Sequence, residues 1–402
     1  MQAAAEATIA AAIADSAQAG EQLAIWGNAT KERMLRPVRV ARMVTSRELT
    51  GISLYAPKEL VITAGAGTPL AEIERILAAS GQHLIAEPPD FALLLGSQGQ
   101  QTLGGVVATN LSGPRRVAWG AMRDHVLGIR AINGSGEIIH SGGRVLKNVT
   151  GLDLCKLFTG SHGTLGLLTE ITLKVLPAPE RTGTLVLRGQ DPAQAVATLS
   201  AALGSPYGVS AAAFLPAAAA KVVGQDHPIT LIRIEDFAPS VIYRLERLRA
   251  ELAPDWGGGD LLDDAMSRWM WRMIGNAVPL GVAYGDAAHA DADAVWRVSV
   301  RPSRGPAVLA AAASFGGTCF LDWGGGLVWI TGPATLAVHQ AVTAAAQEAG
   351  GNWMLFRAPD ALRLAVDVVP AEPAPLARIG ARVKAALDPH GILNPGRLRA
   401  GL

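Results

Sequence analysis

"SHGTLGLLTEITLKVLP" occupies residues 161–177. It opens as a tight glycine turn at Gly163 and Gly166, then becomes an apolar strand that Pro177 ends. A turn so poor in side chains asks what approaches its backbone.

Two further segments share the property: "GNATK" (27–31) and "TLGGVVATNLSG" (102–113). Each of the three is expected to flank a strand. Glycine permits positive φ and lets backbone approach a ligand closely. Successive N–H groups in such turns make a concave anion site. Thr30, Thr102, Ser112 and Thr164 add hydroxyls. One such loop is as readily a simple strand connection. Three in one region suit a large phosphate-bearing ligand, with a dinucleotide the obvious candidate. Neither common nucleotide fingerprint occurs: there is no GxxxxGK[ST], and no GxGxxG opens a helix after a first strand.

Residues 22–180 read as alternating short strands and helices. "QLAIWG" (22–27) and "LVITAGAG" (60–67) are strands ending at glycine. Thr68–Ser80 is a helix with Pro69 in its first turn, Leu70, Ile73, Ile76 and Leu77 on one face and Gly81 as its stop. Residues 125–142 form a hairpin through Asn133-Gly134 and Ser135-Gly136. "DLCKLFTG" (153–160) is a short helix. "PAPERTG" (177–183) marks a crossing into an Ala-rich second region. Helices are expected there at 191–203, 240–252, 261–274 and 333–350, and strands at 229–234, 295–300, 317–321 and 326–331. "KAALDPHGILNPGRL" (384–398) is a helix end followed by two Pro/Gly turns.

The totals narrow the class. The chain has 402 residues, half of them apolar, which suffices for two domains. Its 35 basic and 34 acidic residues argue against a nucleic-acid partner. The two cysteines, Cys155 and Cys319, cannot ligate an iron–sulfur cluster, and they suit a reduced intracellular protein. The Ala-rich N-terminus has no basic start, so a signal peptide is not expected; its spacing suits an amphipathic helix. No stretch is long enough to span a membrane. Membrane contact is therefore expected to be at most peripheral.

Two of these motifs resemble a known family. "SHGTLGLLTEITLKVLP" is similar to the GSEGTLGIITE segment of flavoproteins with the vanillyl-alcohol-oxidase type of FAD domain, and "DPHGILNPG" to their DPxGxxNPG tail. The stretches at 51–74, 102–138, 142–161, 295–303 and 320–330 further resemble the FAD-binding E-subunit family of bacterial glycolate oxidases. The resemblance implies an α+β fold: a PCMH-type FAD-binding domain of two α/β subdomains (1–180, completed by the tail 381–402) and a smaller α+β cap domain (181–380). It implies FAD bound between the subdomains. Gly27, Asn28, Ala29, Thr30 and Lys31 would form the first pyrophosphate loop. Thr102, Leu103, Gly104, Gly105, Asn110, Ser112 and Gly113 would wrap the pyrophosphate toward the flavin, and Gly163, Thr164, Gly166 and Leu168 would hold the cofactor. Two departures stand out. The first loop is less glycine-rich than is usual, and His162 replaces the Glu of GSEGT. That histidine either donates a hydrogen bond or sits as a neutral filler. Neither loop 27–31 nor 109–116 carries a histidine for covalent attachment, so the flavin is expected to be non-covalent.

Candidate catalytic groups are few. Arg115 and Arg116 either approach a flavin or carboxylate, or ion-pair with Asp124. Asp124 and His125 precede a strand, where neighbours point apart. Arg268 and Arg272 share a helix face and either bind a small carboxylate or form a solvated surface. Trp296, Trp323 and Trp329 are expected in cap strands. The histidines show no ligand spacing, so no metal is expected. The resemblance implies a subunit of a glycolate-oxidising complex, with a larger FAD-binding subunit, an iron–sulfur subunit and a 2-hydroxy acid substrate, in the cytoplasm or on the inner face of the membrane. A self-sufficient flavin oxidase or dehydrogenase and a flavin-free structural subunit stand as rivals.

Overall fold

The structure, a computed structural model, describes residues 2–143, 152–254, 257–281 and 293–401. Two sheets organise it. The first unit holds β1 (Leu23–Trp26), β2 (Arg42–Thr45), β3 (Ile52–Ala56), β4 (Val61–Gly65), β5 (Gln82–Leu84), β6 (Val126–Ile132), β7 (Ile138–Gly142) and β8 (Leu167–Pro177). β1 and β2 pair in parallel as a small separate sheet. The other six form one sheet in the order β3-β4-β8-β6-β7, with β5 on the end of β8. β8 is the strand of the opening motif. It is flanked by β4 and β6, so both its edges are paired, and its side chains are buried on both faces along most of its length. The helix Leu70–Ala79 buries Leu70, Ile73 and Leu77 against this sheet.

The second unit holds β9 (Arg181–Arg188), β10 (Val209–Leu215), β11 (Ile229–Asp236), β12 (Asp260–Leu262), β13 (Asp293–Ser299), β14 (Cys319–Asp322), β15 (Leu327–Pro333) and β16 (Asn352–Arg357). They form one eight-stranded sheet, β12-β9-β11-β10-β14-β15-β13-β16, in which every neighbouring pair is antiparallel. Helices Pro192–Leu203, Ala238–Leu252 and Leu336–Glu348 pack on it. Its core does not stop at the unit boundary. Met34, Leu35, Phe91, Leu94, Leu95 and Leu111 of the first unit are buried in the same cluster. Phe91 meets Trp329 and Phe356 edge-on, with ring centroids 5.6 and 5.0 Å away. Each such ring contributes about 1.5–3 kcal/mol through burial, so the two sheets are held together by apolar contact.

The C-terminal tail returns to the first unit. The helix Ala374–Leu387 ends at Asp388, a buried carboxylate that accepts from the N–H groups of Ile392 and Leu393 and from Lys384 Nζ. Asn394 then reaches β1: its Oδ1 accepts from Ile25 N at 2.7 Å, and its Nδ2 donates to His162 O at 2.8 Å. The Asp and Asn of the tail motif thus staple two loops of the first unit together.

Three local expectations need correction. The segment after Thr102 is a helix, Leu103–Thr109, instead of a glycine loop. Thr102 caps it, its Oγ1 accepting from Gly105 N, and Leu103, Val106 and Val107 bury on one side. Asp124 and His125 do not lead a strand. Met122–His125 is a helical turn that Asp124 closes by accepting from Ala121 N at 2.8 Å. Trp323 lies in the turn between β14 and β15, at φ +54°, whereas Trp296 and Trp329 are on strands as expected.

Candidate functional site

A cleft lies between β1 with its following loop, the helix 103–109 and the turn before β8. Its lining includes Gly27, Asn28, Ala29, Thr30 and Lys31, then Thr102, Gly104 and Gly105, and then Gly163, Gly166 and Leu168. The three side-chain-poor segments therefore converge on one space.

The first loop is built to donate. The guanidinium of Arg397 takes its carbonyls, donating to Lys31 O, Glu32 O and Arg36 O at 2.7–3.1 Å. Among the described residues, the N–H groups of Asn28, Ala29, Thr30 and Lys31 have no protein acceptor. Lys31 Nζ has, among the described residues, only neutral hydrogen-bond partners, Thr30 Oγ1 at 3.3 Å and Gln101 Oε1 at 3.2 Å. Desolvation lowers its pKa to about 8, against a small opposing pull from Asp90. Consecutive free donors beside an ammonium lacking a carboxylate partner suit a pyrophosphate.

His162 borders the same space. Its φ is +53°, and its Nδ1 is buried without a partner. Burial, with Arg397 nearby, pushes its pKa down to about 3, so the imidazole is neutral.

Five of the residues implied by resemblance lie off the cleft. Leu103 is core. Asn110 ends the helix in the left-handed region, and its Oδ1 accepts from Arg123 N. Ser112 Oγ accepts from Met122 N, and Thr164 Oγ1 donates to Ser161 O. Gly113 has a different reason to be glycine: a Cβ there would lie 2.2 Å from Glu87 O. Gly104 does border the cleft, yet a Cβ there would also lie 2.8 Å from Ala66 Cβ, so it lets the helix meet the chain after β4. Sequence reasoning missed Ser46, Asn394 and Arg397, which also line the space. The tail motif held the signal for Asn394 and Arg397.

The candidate arginines divide. Arg115 pairs with Glu235, not Asp124: Nε–Oε2 is 3.0 Å and Nη2–Oε1 is 2.7 Å. Glu235 also meets Arg233, which in turn pairs with Glu87 at 2.8 and 2.9 Å. His83 Nδ1 lies 3.0 Å from Arg115 Nη1. Burial and that cation lower the His83 pKa to about 4, so it accepts this bond. Burial alone would raise Glu235 and Glu87, but the two arginines override it and hold both carboxyls below the ordinary range. This network is a seam between the two units. Arg268 pairs with Asp264 one turn away on an exposed helix face, and Arg272 is exposed on the same helix.

The comparisons agree with this geometry. Residues 1–142 match the FAD binding domain family. The chain is 34% identical over 381 residues to glycolate oxidase subunit GlcE of Escherichia coli (strain K12), covering 94% of this chain and 93% of that protein. It is also 34% identical over 177 residues to glycolate oxidase subunit GlcD of Bacillus subtilis (strain 168), covering 44% of this chain and 34% of that protein. Among solved structures, 4-ethylphenol oxidase from Gulosibacter chungangensis superposes with a TM-score of 0.70 at 12% identity, covering 98% of this chain and 88% of that one. That likeness speaks for the fold alone.

The fold and cleft define an FAD-binding oxidoreductase of the PCMH-type class. Within it, the chain belongs to the glycolate oxidase subunit GlcE family.

Proposed function

We propose that this chain is the FAD-binding E subunit of a complex that oxidises glycolate to glyoxylate. The full-length match to subunit GlcE carries the reading. The cleft supports the cofactor's place. The N–H groups of loop 28–31 and the Lys31 ammonium would hold the pyrophosphate, with Thr102, Gly105 and His162 along its path. FAD, when bound, supplies two-electron redox chemistry. The chain's own part is to orient the cofactor, to neutralise its phosphates and to keep a neutral imidazole beside it. The first unit with the returning tail acts as the FAD domain and residues 181–380 as the cap.

Attachment is non-covalent. The partners are a larger FAD-binding subunit, where the substrate chemistry mainly occurs, and an iron–sulfur subunit that takes the electrons on. Two cysteines, both buried and unpaired, are too few for this chain to hold the cluster. No described helix is long and apolar enough to cross a membrane. We place the complex in the cytoplasm, with any membrane contact peripheral and on the inner face.

Glycolate-dependent dye reduction by the chain alone and by the co-expressed subunits tests this. Activity is expected only when the larger flavoprotein subunit is present. Full turnover by the isolated chain would favour a self-sufficient oxidase or dehydrogenase. A co-expressed complex inert toward glycolate would overturn the reading.

A further inference from the structure

Beside the seam network stand two cations with no carboxylate in direct contact. Arg116 comes from the short helix Arg116–Trp119 of the first unit, and Arg297 from β13 of the second. Both guanidinium groups stack on the indole of Trp323, at 4.4 and 4.8 Å from the ring centroid, and Arg297 also lies 5.8 Å from Trp329. Among the described residues, neither has a carboxylate within ion-pair distance, and the Arg297 guanidinium makes no hydrogen bond. The nearby acids are committed elsewhere. Glu87 and Glu235 belong to Arg115 and Arg233. Asp322 is buried, accepts from Trp323 N at 2.7 Å, and is raised to about 7 by that burial, so it answers Arg297 only in part, while Asp124, the acid that acts on Arg116, accepts from Ala121 N and pairs with Arg123. Burial pushes Arg297 down to about 10, with Arg116 adding to the effect. Two desolvated guanidinium groups facing π-surfaces are stabilised only in part by cation–π attraction. What such a pair lacks is an anion.

We propose that Arg116, Arg297 and Trp323 form a binding site for a small carboxylate at the seam between the two units. Guanidinium forks match a carboxylate bidentately. Trp323 Nε1 donates across the seam to Gly113 O at 3.1 Å, which fixes the indole that both guanidinium groups share. The choice of a 2-hydroxy or 2-oxo acid among small carboxylates rests on the glycolate reading above. Arg268 and Arg272, the arginines whose spacing suggested such a role, stand on the exposed helix 264–275 and take no part.

Isothermal calorimetry on the full chain saturated with FAD tests this, using glycolate, glyoxylate, oxalate, acetate and inorganic phosphate as probes. Saturable glycolate or glyoxylate binding with a Kd of about 1 mM or tighter is expected. Arg116→Gln and Arg297→Gln should each weaken it tenfold or more, with FAD content and thermal midpoint unchanged. Arg268→Gln should leave it as it was. If Arg297→Gln does not fold, Arg116→Gln on the half-buried first-unit side decides alone. Absence of saturable carboxylate binding, or variants that bind like the parent, would overturn the site. Equal affinity for phosphate would overturn its assignment to carboxylates, and acetate binding as tightly as glycolate would overturn the 2-hydroxy acid. Turnover by the assembled complex is read separately. Binding here without turnover there removes the glycolate oxidase reading and leaves the site, and turnover without binding does the reverse.

Discussion

The cofactor cleft and the seam between the units are built on opposite principles. The cleft is mostly backbone: glycine segments, four free N–H groups and one desolvated lysine. The seam is nearly all side chain, with Arg115, Arg233, Glu87 and Glu235 in one paired cluster and Arg116 and Arg297 on Trp323 beside it. The cleft's charge awaits a ligand, whereas the cluster's charges answer one another. The contrast teaches where substitutions should strike. Changes in the paired cluster should act on folding, and cleft changes on cofactor affinity.

Removing Arg233 should have the largest effect. Arg233→Met leaves Glu87 and Glu235 short of a buried partner, a loss worth about 3–5 kcal/mol. Urea unfolding should show it as a shifted midpoint at an unchanged slope. A loss under about 1 kcal/mol would mean that the network is incidental to the joining of the units.

Lys31→Met should behave in the opposite way. FAD affinity is expected to fall about tenfold to hundredfold, the scale of one charge-assisted hydrogen bond. The FAD-free chain should be no less stable, since a desolvated ammonium has been removed. Fluorescence titration with FAD and urea unfolding measure the two halves. Lost stability with unchanged affinity would reverse the roles of the two regions.

The same lysine gives a pH dependence. Its pKa of about 8 lies below the ordinary lysine value. It is charged below that pH and becomes neutral above it in the FAD-free chain. FAD affinity should therefore be flat up to about pH 8 and decline above it, by at most about tenfold per unit. Lys31→Met should flatten the curve. In the FAD-free chain the depressed lysine binds fewer protons when folded than when unfolded. Its contribution to stability should thus rise as pH climbs from about 8 toward the ordinary lysine value.

Arg268→Ala should do least. Its pair with Asp264 is solvent-exposed, so stability should stay within about 0.5 kcal/mol and FAD affinity should not change. A clear loss of glycolate turnover would return this helix to the substrate site.

The two regions also differed in how well they could be read. The cleft's loops are local sequence events. Glycine turns beside strands stand out over a few residues, and the Asn133-Gly134 hairpin, the Leu70–Ala79 helix and the tail turns were legible for the same reason. What escaped at the cleft was contributed from afar. Asn394 meets Ile25 across 369 positions, and Arg397 holds Lys31 across 366. The seam was harder still. Arg233 and Glu87 are 146 residues apart, and Arg115 and Glu235 are 120 apart. No local period links them, and adjacency pointed Arg115 to Asp124 instead. Thr102 misled differently. Its glycine pair reads as a loop, but its cap and the buried Leu103, Val106 and Val107 make a helix.

The central claim is that the cleft of the first unit holds FAD by backbone donors and Lys31, without a covalent bond. The visible absorption spectrum of the purified chain, before and after acid precipitation, tests it most directly. The account predicts flavin bands that pass wholly into the supernatant, and a much paler Lys31→Met protein under the same purification. A chain that stays colourless after incubation with FAD, alone and in its assembled complex, or a flavin that precipitates with the protein, would contradict it.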